Sequence, residues 1–573
     1  MTQRSGWLTL CAWWLAVAWF VPAARAAPVT LAWSANIEPD IAGYSINYRP
    51  QRSGEWTKID VGLTTTFTFH GLPDGETFLF TVQAYTLGGL VSEPSDQVSV
   101  QTPGVPALDS NGDGLPDAVA TRLAATADDD ADGDGVRTLA EWHMGTNPTV
   151  PNTWHLAEGA TGFFRERVAL ANPFEEPADV SLAFLRPAGA PVWRNYSVLP
   201  FGHLTVDVNA IAELSTTPVS AVITTRRGGL AAERTMTWRG PGGTGAHTAR
   251  AVASPSTAWY FAEGSVGFFD TFFLIANDHP ARASVTVTFL RDGQAAMTRS
   301  YRVEAHSRFT LYANEVAGLG NEGFATVITS SLPVTAERAM YFGAWQGGHD
   351  TAGTTSPATR WYLAEGRTGT FMDTYVLLAN PNDDNAVVGA SFMLPDGRVV
   401  RRTVTMRPRS RATLFLNEIP ELADTDVAVT LVATRPIVVE RSMYWPRGAW
   451  TESHNSVGTS ALGTRWLLAE GEVGGPEGFA TYVLVLNPDD SDAEVTFRFL
   501  REGGLPPIDV TRHVAARSRA TLSAAEIDLA SGERFGVLVQ SSRPVAVERS
   551  MYWNVDGGFW TAGTNEIGIR LRE

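Results

Sequence analysis

Two short phrases each occur four times in this chain of 573 residues, and any fold must accommodate all eight occurrences. Trp361-Tyr-Leu-Ala-Glu-Gly366 returns as Trp154-His-Leu-Ala-Glu-Gly159, Trp259-Tyr-Phe-Ala-Glu-Gly264 and Trp466-Leu-Leu-Ala-Glu-Gly471. Val439-Glu-Arg-Ser-Met-Tyr-Trp445 returns around Glu233-Arg234, Glu337-Arg338 and Glu548-Arg549. A copy begins about every hundred residues. That period is too long for a solenoid unit and suits a whole small domain.

The third copy shows what such a domain contains. Apolar residues alternate over 361–364, 374–379, 387–392, 399–406, 412–416, 427–432 and 437–445, with turn residues at Asn380-Pro381, Pro395-Asp-Gly397 and Arg407-Pro408. Period-two patterning in seven short runs predicts a β-sandwich in each copy. A propeller blade holds about four strands in roughly half this length, so a single four-bladed propeller is set aside. The whole chain is expected to be all-β, with tandem sandwiches at 151–256, 257–358, 359–463 and 464–573 arranged as an elongated row.

The last run of each copy carries an anomaly. Alternation places Ile437, Val439, Arg441, Met443 and Trp445 on one face, so an arginine sits in the middle of an apolar row. Arg234, Arg338 and Arg549 stand in the same place. A buried guanidinium without a carboxylate costs several kcal/mol, about 3–5 when a pair is broken. The glutamate of the first phrase recurs as faithfully, which predicts the pairs Glu158–Arg234, Glu263–Arg338, Glu365–Arg441 and Glu470–Arg549. Four equal copies suit scaffolding better than catalysis. His247, His349 and His454 follow the last run at similar offsets and have no counterpart in the fourth copy. With no second ligand at metal spacing, they are read as hydrogen-bonding loop residues at the junction with the next copy. The copies resemble an uncharacterised repeat of secreted bacterial modular proteins, a resemblance that implies no activity.

The N-terminus has Arg4, an apolar run from Trp7 to Val21 and Ala24-Arg25-Ala26. This order predicts a secretory leader over 1–26 and no transmembrane segment in the mature chain. Localisation would be extracellular or at the cell surface, with the periplasm possible. The single cysteine, Cys11, falls inside the leader, which leaves no disulfide and no thiol chemistry. A formal net charge of −17 without a basic stripe argues against nucleic acid as a partner.

Between 27 and 103, Val29-Thr-Leu-Ala-Trp33, Gly43 to Tyr48 and Phe78 to Ala84 alternate with turns. These residues resemble a fibronectin type III domain, with Trp33 in an early core strand and Phe80, Val82 and Ala84 in a late one. Phe78 stands where that family usually has tyrosine. The connector, 104–150, is rich in Asp, Asn and Gly. Asp130, Asp132, Asp134, Val136 through its carbonyl, and Glu141 match positions one, three, five, seven and twelve of a calcium loop, with Gly135 at the sharp turn. Asp109, Asn111, Asp113 and Asp117 repeat its beginning. The pair resembles thrombospondin type 3-like calcium repeats, with a dockerin as the rival, and calcium is the one cofactor expected.

No His-Glu-x-x-His, phosphate loop or nucleophile elbow is present in the sequence. The sequence therefore favours a secreted, calcium-stabilised, non-catalytic scaffold or adhesion protein that meets an extracellular protein or glycan surface. A carbohydrate-binding protein and a dockerin-like targeting subunit are the alternatives.

Overall fold

The computed structural model describes residues 29–101 except 34–40, 52–55, 63–64, 70–76 and 87–90, isolated positions between 102 and 151, and 152–571 except 228–229 and 556. The chain forms two compact units, 1–127 and 128–573. Each is built almost wholly of strands, and the chain is all-β.

Among the described residues the first unit has six strands in two sheets. Val29–Ala32 pairs with Thr66–Phe69, and Thr57–Gly62, Ile41–Pro50, Thr77–Thr86 and Val98–Gln101 form a four-stranded sheet in that order. Trp33, Tyr44, Ile46, Phe80, Val82 and Ala84 are buried between the sheets. The Trp33 and Tyr44 rings meet edge to face at 5.7 Å. Phe78 is buried against Tyr48 and Phe80, so its ring packs without a hydroxyl.

In the second unit each copy is a sandwich of two sheets. Copy 3 has Ala358–Leu363, Asp373–Asn380, Ala386–Met393, Val399–Met406 and Ser410–Phe415, close to the expected runs. Two expectations need correction. The runs 427–432 and 437–445 are one strand, Ala428–Trp445. Its first half pairs with Ala386–Met393 and Ala358–Leu363, and its second half with Asp373–Asn380. Pro436 lies in the ladder gap where the strand passes from one sheet to the other, so its missing N–H is not needed there. Copies 2 and 4 use Phe324–Phe342 and Glu533–Trp553 in the same way, while copy 1 divides the strand into Ser220–Arg227 and Ala231–Gly240.

The second correction is an additional strand, Glu452–Val457, paired with the end of the long strand where a loop was expected. Its equivalents are Gly243–Arg250, Gly347–Ala352 and Ala562–Ile567. These four inner strands lie beside one another, each touching the inner strand of the copy before and the copy after, with the fourth touching the first. The four sandwiches thus close into a ring around a common axis. The expected row of units is overturned within this unit, because both faces of each sheet carry apolar residues near the axis. Val376, Leu378, Ile437 and Val439 fill the core of copy 3. On the opposite face Leu377, Ala379 and Val438 pack against Ala262, Leu290 and Ala325 of copy 2. Equivalent clusters join copies 1 and 2, 3 and 4, and 4 and 1.

The recurrent tryptophans of the first phrase are core residues. Trp259, Trp361 and Trp466 are buried and donate their indole N–H to Val334, Ile437 and Val545 carbonyls at 2.8, 3.0 and 3.0 Å.

Candidate functional site: the junctions between copies

Adjacent residues of a strand point to opposite faces, so each Glu-Arg dipeptide addresses two neighbours at once. In copy 3, Arg441 turns toward its own first strand and copy 4, while Glu440 turns back toward copy 2. Arg441 donates to Glu548 of copy 4 at 2.6 Å and lies 3.2 Å from Glu365. Glu440 accepts from Arg338 of copy 2 at 2.6 Å and from the Ala262 N–H at 2.7 Å. The four arginines are wholly buried.

The structure places the four expected pairs at 3.4 Å for Glu158–Arg234, 3.2 Å for Glu263–Arg338, 3.2 Å for Glu365–Arg441 and 3.7 Å for Glu470–Arg549. Of the two glutamates at each arginine, the nearer is in every case that of the next copy's Glu-Arg. Arg234–Glu337, Arg338–Glu440, Arg441–Glu548 and Arg549–Glu233 measure 2.7, 2.6, 2.6 and 2.7 Å. The ion pairs are therefore triads that join copies, and not clasps confined to one sandwich. Sequence reasoning missed Glu233, Glu337, Glu440 and Glu548, although they recur beside the arginines. Burial works against the charge on Arg338, but Glu440 and Glu263 outweigh it and hold its pKa above the ordinary value. Burial pushes Glu440 up, against the pull of Arg338.

The histidines belong to the inner strands. His247, His349 and His454 meet the hydroxyls of Tyr341, Tyr444 and Tyr552 in the following copy at 2.9, 3.1 and 3.0 Å. Each hydroxyl also donates to the first-phrase glutamate: Tyr341 to Glu158, Tyr444 to Glu263 and Tyr552 to Glu365. Burial, with Arg234 nearby, drives the His247 pKa far down, so the ring is neutral. The tyrosine's single proton goes to the carboxylate, so the histidine donates Nε2–H to the tyrosine oxygen. At the junction of copies 4 and 1 both partners change together. Thr564 takes the histidine's place and Thr237 the tyrosine's, and Thr564 binds Arg549 instead.

The first junction carries two additional acids. Asp350 occupies the position of Asn455, Asn565 and Thr248, and Glu166 that of Thr271, Thr374 and Thr481. Burial raises the Glu166 pKa to about 8 against the pull of Arg234 and Arg308, and raises that of Asp350 well above the ordinary value. Glu158, His247 and Asp350 come close enough together to suggest a metal site. Arg234 Nη2 stands in that cluster, 2.5 Å from Asp350 and 3.4 Å from Glu158. The cation there is the guanidinium itself.

Two further glutamates satisfy the inner strands, whose edges meet at the axis without a shared ladder. Glu452 accepts from the N–H groups of Ala246, Gly348 and Ser453, and Glu566 from those of Arg250 and Ile567. Burial raises both, Glu566 to about 7. Of the expected calcium ligands, Asp117 is within a described helical position; Asp109, Asn111, Asp113, Asp130, Asp132, Asp134, Val136 and Glu141 lie outside the described residues, as does the expected leader, 1–26.

A family model for the fibronectin type III domain matches residues 21–101. The chain is thus a modular all-β protein carrying a fibronectin type III domain, an architecture that fits scaffold- or adhesion-type proteins. A second model, described as a family of unknown function (DUF5719), matches residues 333–558, from the long strand of copy 2 into copy 4. No curated protein matches the chain. Similar solved structures include a titin module from human cardiac muscle, 28% identical over 13% of this chain and 76% of that one, with a TM-score of 0.12. A fibronectin type III domain of human collagen XX is 21% identical over 17% of this chain and 84% of that one, with a TM-score of 0.13. A Thermotoga maritima protein is 15% identical over 18% of this chain and 92% of its own, with a TM-score of 0.17. No helix among the described residues is long and apolar enough to cross a membrane.

Proposed function

We propose that the chain is a secreted scaffold or adhesion protein of the cell surface or extracellular matrix, stabilised by calcium in the 104–150 connector and non-catalytic in its four copies. One observation carries the reading: the charged groups that recur in every copy are spent on joining copies. Each Glu-Arg dipeptide binds the copy before and the copy after, and the guanidinium groups are buried. Groups committed in this way build a rigid head and leave its outer surface to meet partners.

The test uses the mature full chain. Binding to intact cells, isolated cell wall and matrix preparations is measured with calcium and with chelator, beside a screen for glycan and peptide hydrolysis. Saturable binding without turnover is expected. Turnover abolished by Glu166→Gln, the buried acid with the raised pKa, would replace the scaffold with an enzyme. Capture of a partner that requires only 104–150 would favour the dockerin-like alternative.

A further inference from the structure

The junction between copies 2 and 3 is built differently from those on either side. Between copies 1 and 2 the Trp238 indole donates to the Trp345 carbonyl at 2.8 Å, and between copies 3 and 4 Trp445 donates to the Trp560 carbonyl at 2.7 Å. Each bond ties down the hairpin that follows the long strand of the later copy. Copy 2 carries Phe342 at this position and has no N–H to give. The hairpin of copy 3 sends its own indole elsewhere: Trp450 Nε1 donates to Asp373 at 2.8 Å.

A cavity of about 500 Å³ opens there, lined by Phe268, Phe342, Gln346, Asp373 and Trp450 beside exposed backbone at Gly448. Phe268 is 59% exposed. Its ring and that of Trp450 stand at 71° with centroids 6.2 Å apart, two walls of a corner. Each wall is backed by another ring, Trp450 by Tyr444 at 4.5 Å and Phe268 by Phe342 at 5.8 Å. Asp373 is 4% exposed: its Oδ1 is buried 3.2 Å from Arg447 Nε, and its Oδ2 accepts from Trp450 at the wall of the cavity.

A ligand for this corner needs an apolar face for the rings and hydroxyl donors for the carboxylate and the Gln346 amide. A pyranose has both, its axial C–H groups on one face and its hydroxyls around the rim. A cavity of this size lies in the range of pockets that hold small ligands, about 300–1,000 Å³. Asp373 and Arg447 Nε, 3.2 Å apart, balance each other's charge, which leaves the corner without a net charge for an ionic sugar and favours neutral ones. We propose that this cavity is a binding subsite for a neutral hexopyranose unit of a glycan, stacked on Phe268 and Trp450 and hydrogen-bonded to Asp373 and Gln346. The assignment goes beyond the scaffold reading and does not depend on it, since a scaffold without this subsite would still bind surfaces through other faces.

Isothermal titration of the full chain with cellotriose, chitotriose and maltotriose tests it. At least one of the three is expected to bind at millimolar sugar or below, and Phe268→Ala to weaken it by roughly tenfold. Phe559→Ala, which removes another exposed ring at the next junction, should leave binding unchanged. Asp373→Asn should also weaken binding; because Asp373 holds Trp450, the exposed Phe268 variant decides if that protein fails to fold. No heat with any of the three sugars, or equal binding by the Phe268→Ala protein, overturns the assignment.

Discussion

Arg549, in the last copy, donates to the carboxylate of Glu233 in the first at 2.7 Å, across 316 residues of sequence. The same carboxylate accepts the Ala469 N–H at 2.7 Å, so one side chain satisfies both a guanidinium and the end of a strand. No local preference of the chain could bring these groups together. They meet because three earlier junctions, each holding a buried arginine against the next copy's glutamate, turn the chain back on itself.

Glu233→Ala should therefore destabilise the fourth copy as much as the first. Breaking a buried pair costs about 3–5 kcal/mol. Hydrogen exchange is the direct measurement: amides in Gly463–Leu468 and Ala480–Asn487 should lose protection along with those of Ala231–Gly240. Loss confined to the first copy would mean that the ends do not meet.

The tyrosine–histidine contacts predict coupling across a junction. Tyr552→Phe leaves a Glu365 oxygen and His454 without their common partner, at a cost of about 1–3 kcal/mol. His454→Thr, the residue found at this place in copy 4, should be milder in the Tyr552→Phe background than alone. A double-mutant cycle read by urea unfolding should give an interaction energy of about 0.5–3 kcal/mol.

Neutral pH should favour the ring over mild alkali. The folded state raises Glu166 from 4.5 to about 8 and Glu566 from 4.5 to about 7. Between those limits the folded chain keeps protons that the unfolded chain has released, and stability falls as pH rises. The contribution is complete below about pH 4.5 and is lost by about pH 8. Melting curves at intervals from pH 6.5, above the range in which the buried histidines would charge on unfolding, to pH 8.5 should show this decline, and Glu166→Thr, which copies the residue of the other three repeats, should flatten it. A wild-type curve no steeper than that of the variant would show that Glu166 does not titrate across this interval.

Calcium is expected to protect the 104–150 segment. The chelated full chain should be nicked there by a non-specific protease, and added calcium should prevent it. Glu141→Gln removes the one side chain that could bind bidentately in the complete loop, so it should need at least about tenfold more calcium for the same protection. Equal cleavage with and without calcium would leave the acidic segment as a plain linker.

Much of the single sandwich was legible in the sequence, and little of the ring. Arg441 could be read because a charge in an apolar period-two row is an anomaly that demands a partner. Glu440, one residue earlier, gave no such signal, because the opposite face of a sandwich sheet is ordinarily solvated. Its burial depends on another copy, which no pattern within one repeat encodes. The strand Glu452–Val457 was hidden for a related reason. Every residue in it is buried, yet Glu-Ser-His-Asn-Ser-Val has no alternation, since both faces meet protein and the close approach to the axis demands small or hydrogen-bonding side chains. At its counterpart Gly245, a Cβ would come within 2.3 Å of the Trp238 indole. One clue was present and unused: the copy whose histidine is missing precedes, around the circle, the one copy whose tyrosine is missing.

That joint replacement at Thr564 and Thr237 makes one seam chemically unlike the other three. Head-to-tail surfaces that match can link molecules into filaments as readily as they close within one. Here the final repeat offers a threonine where its siblings offer an imidazole, and only the opening repeat lacks the phenol that an imidazole would meet. A match of this kind exists only between the last repeat and the first, so it sets which two repeats meet when the ring closes.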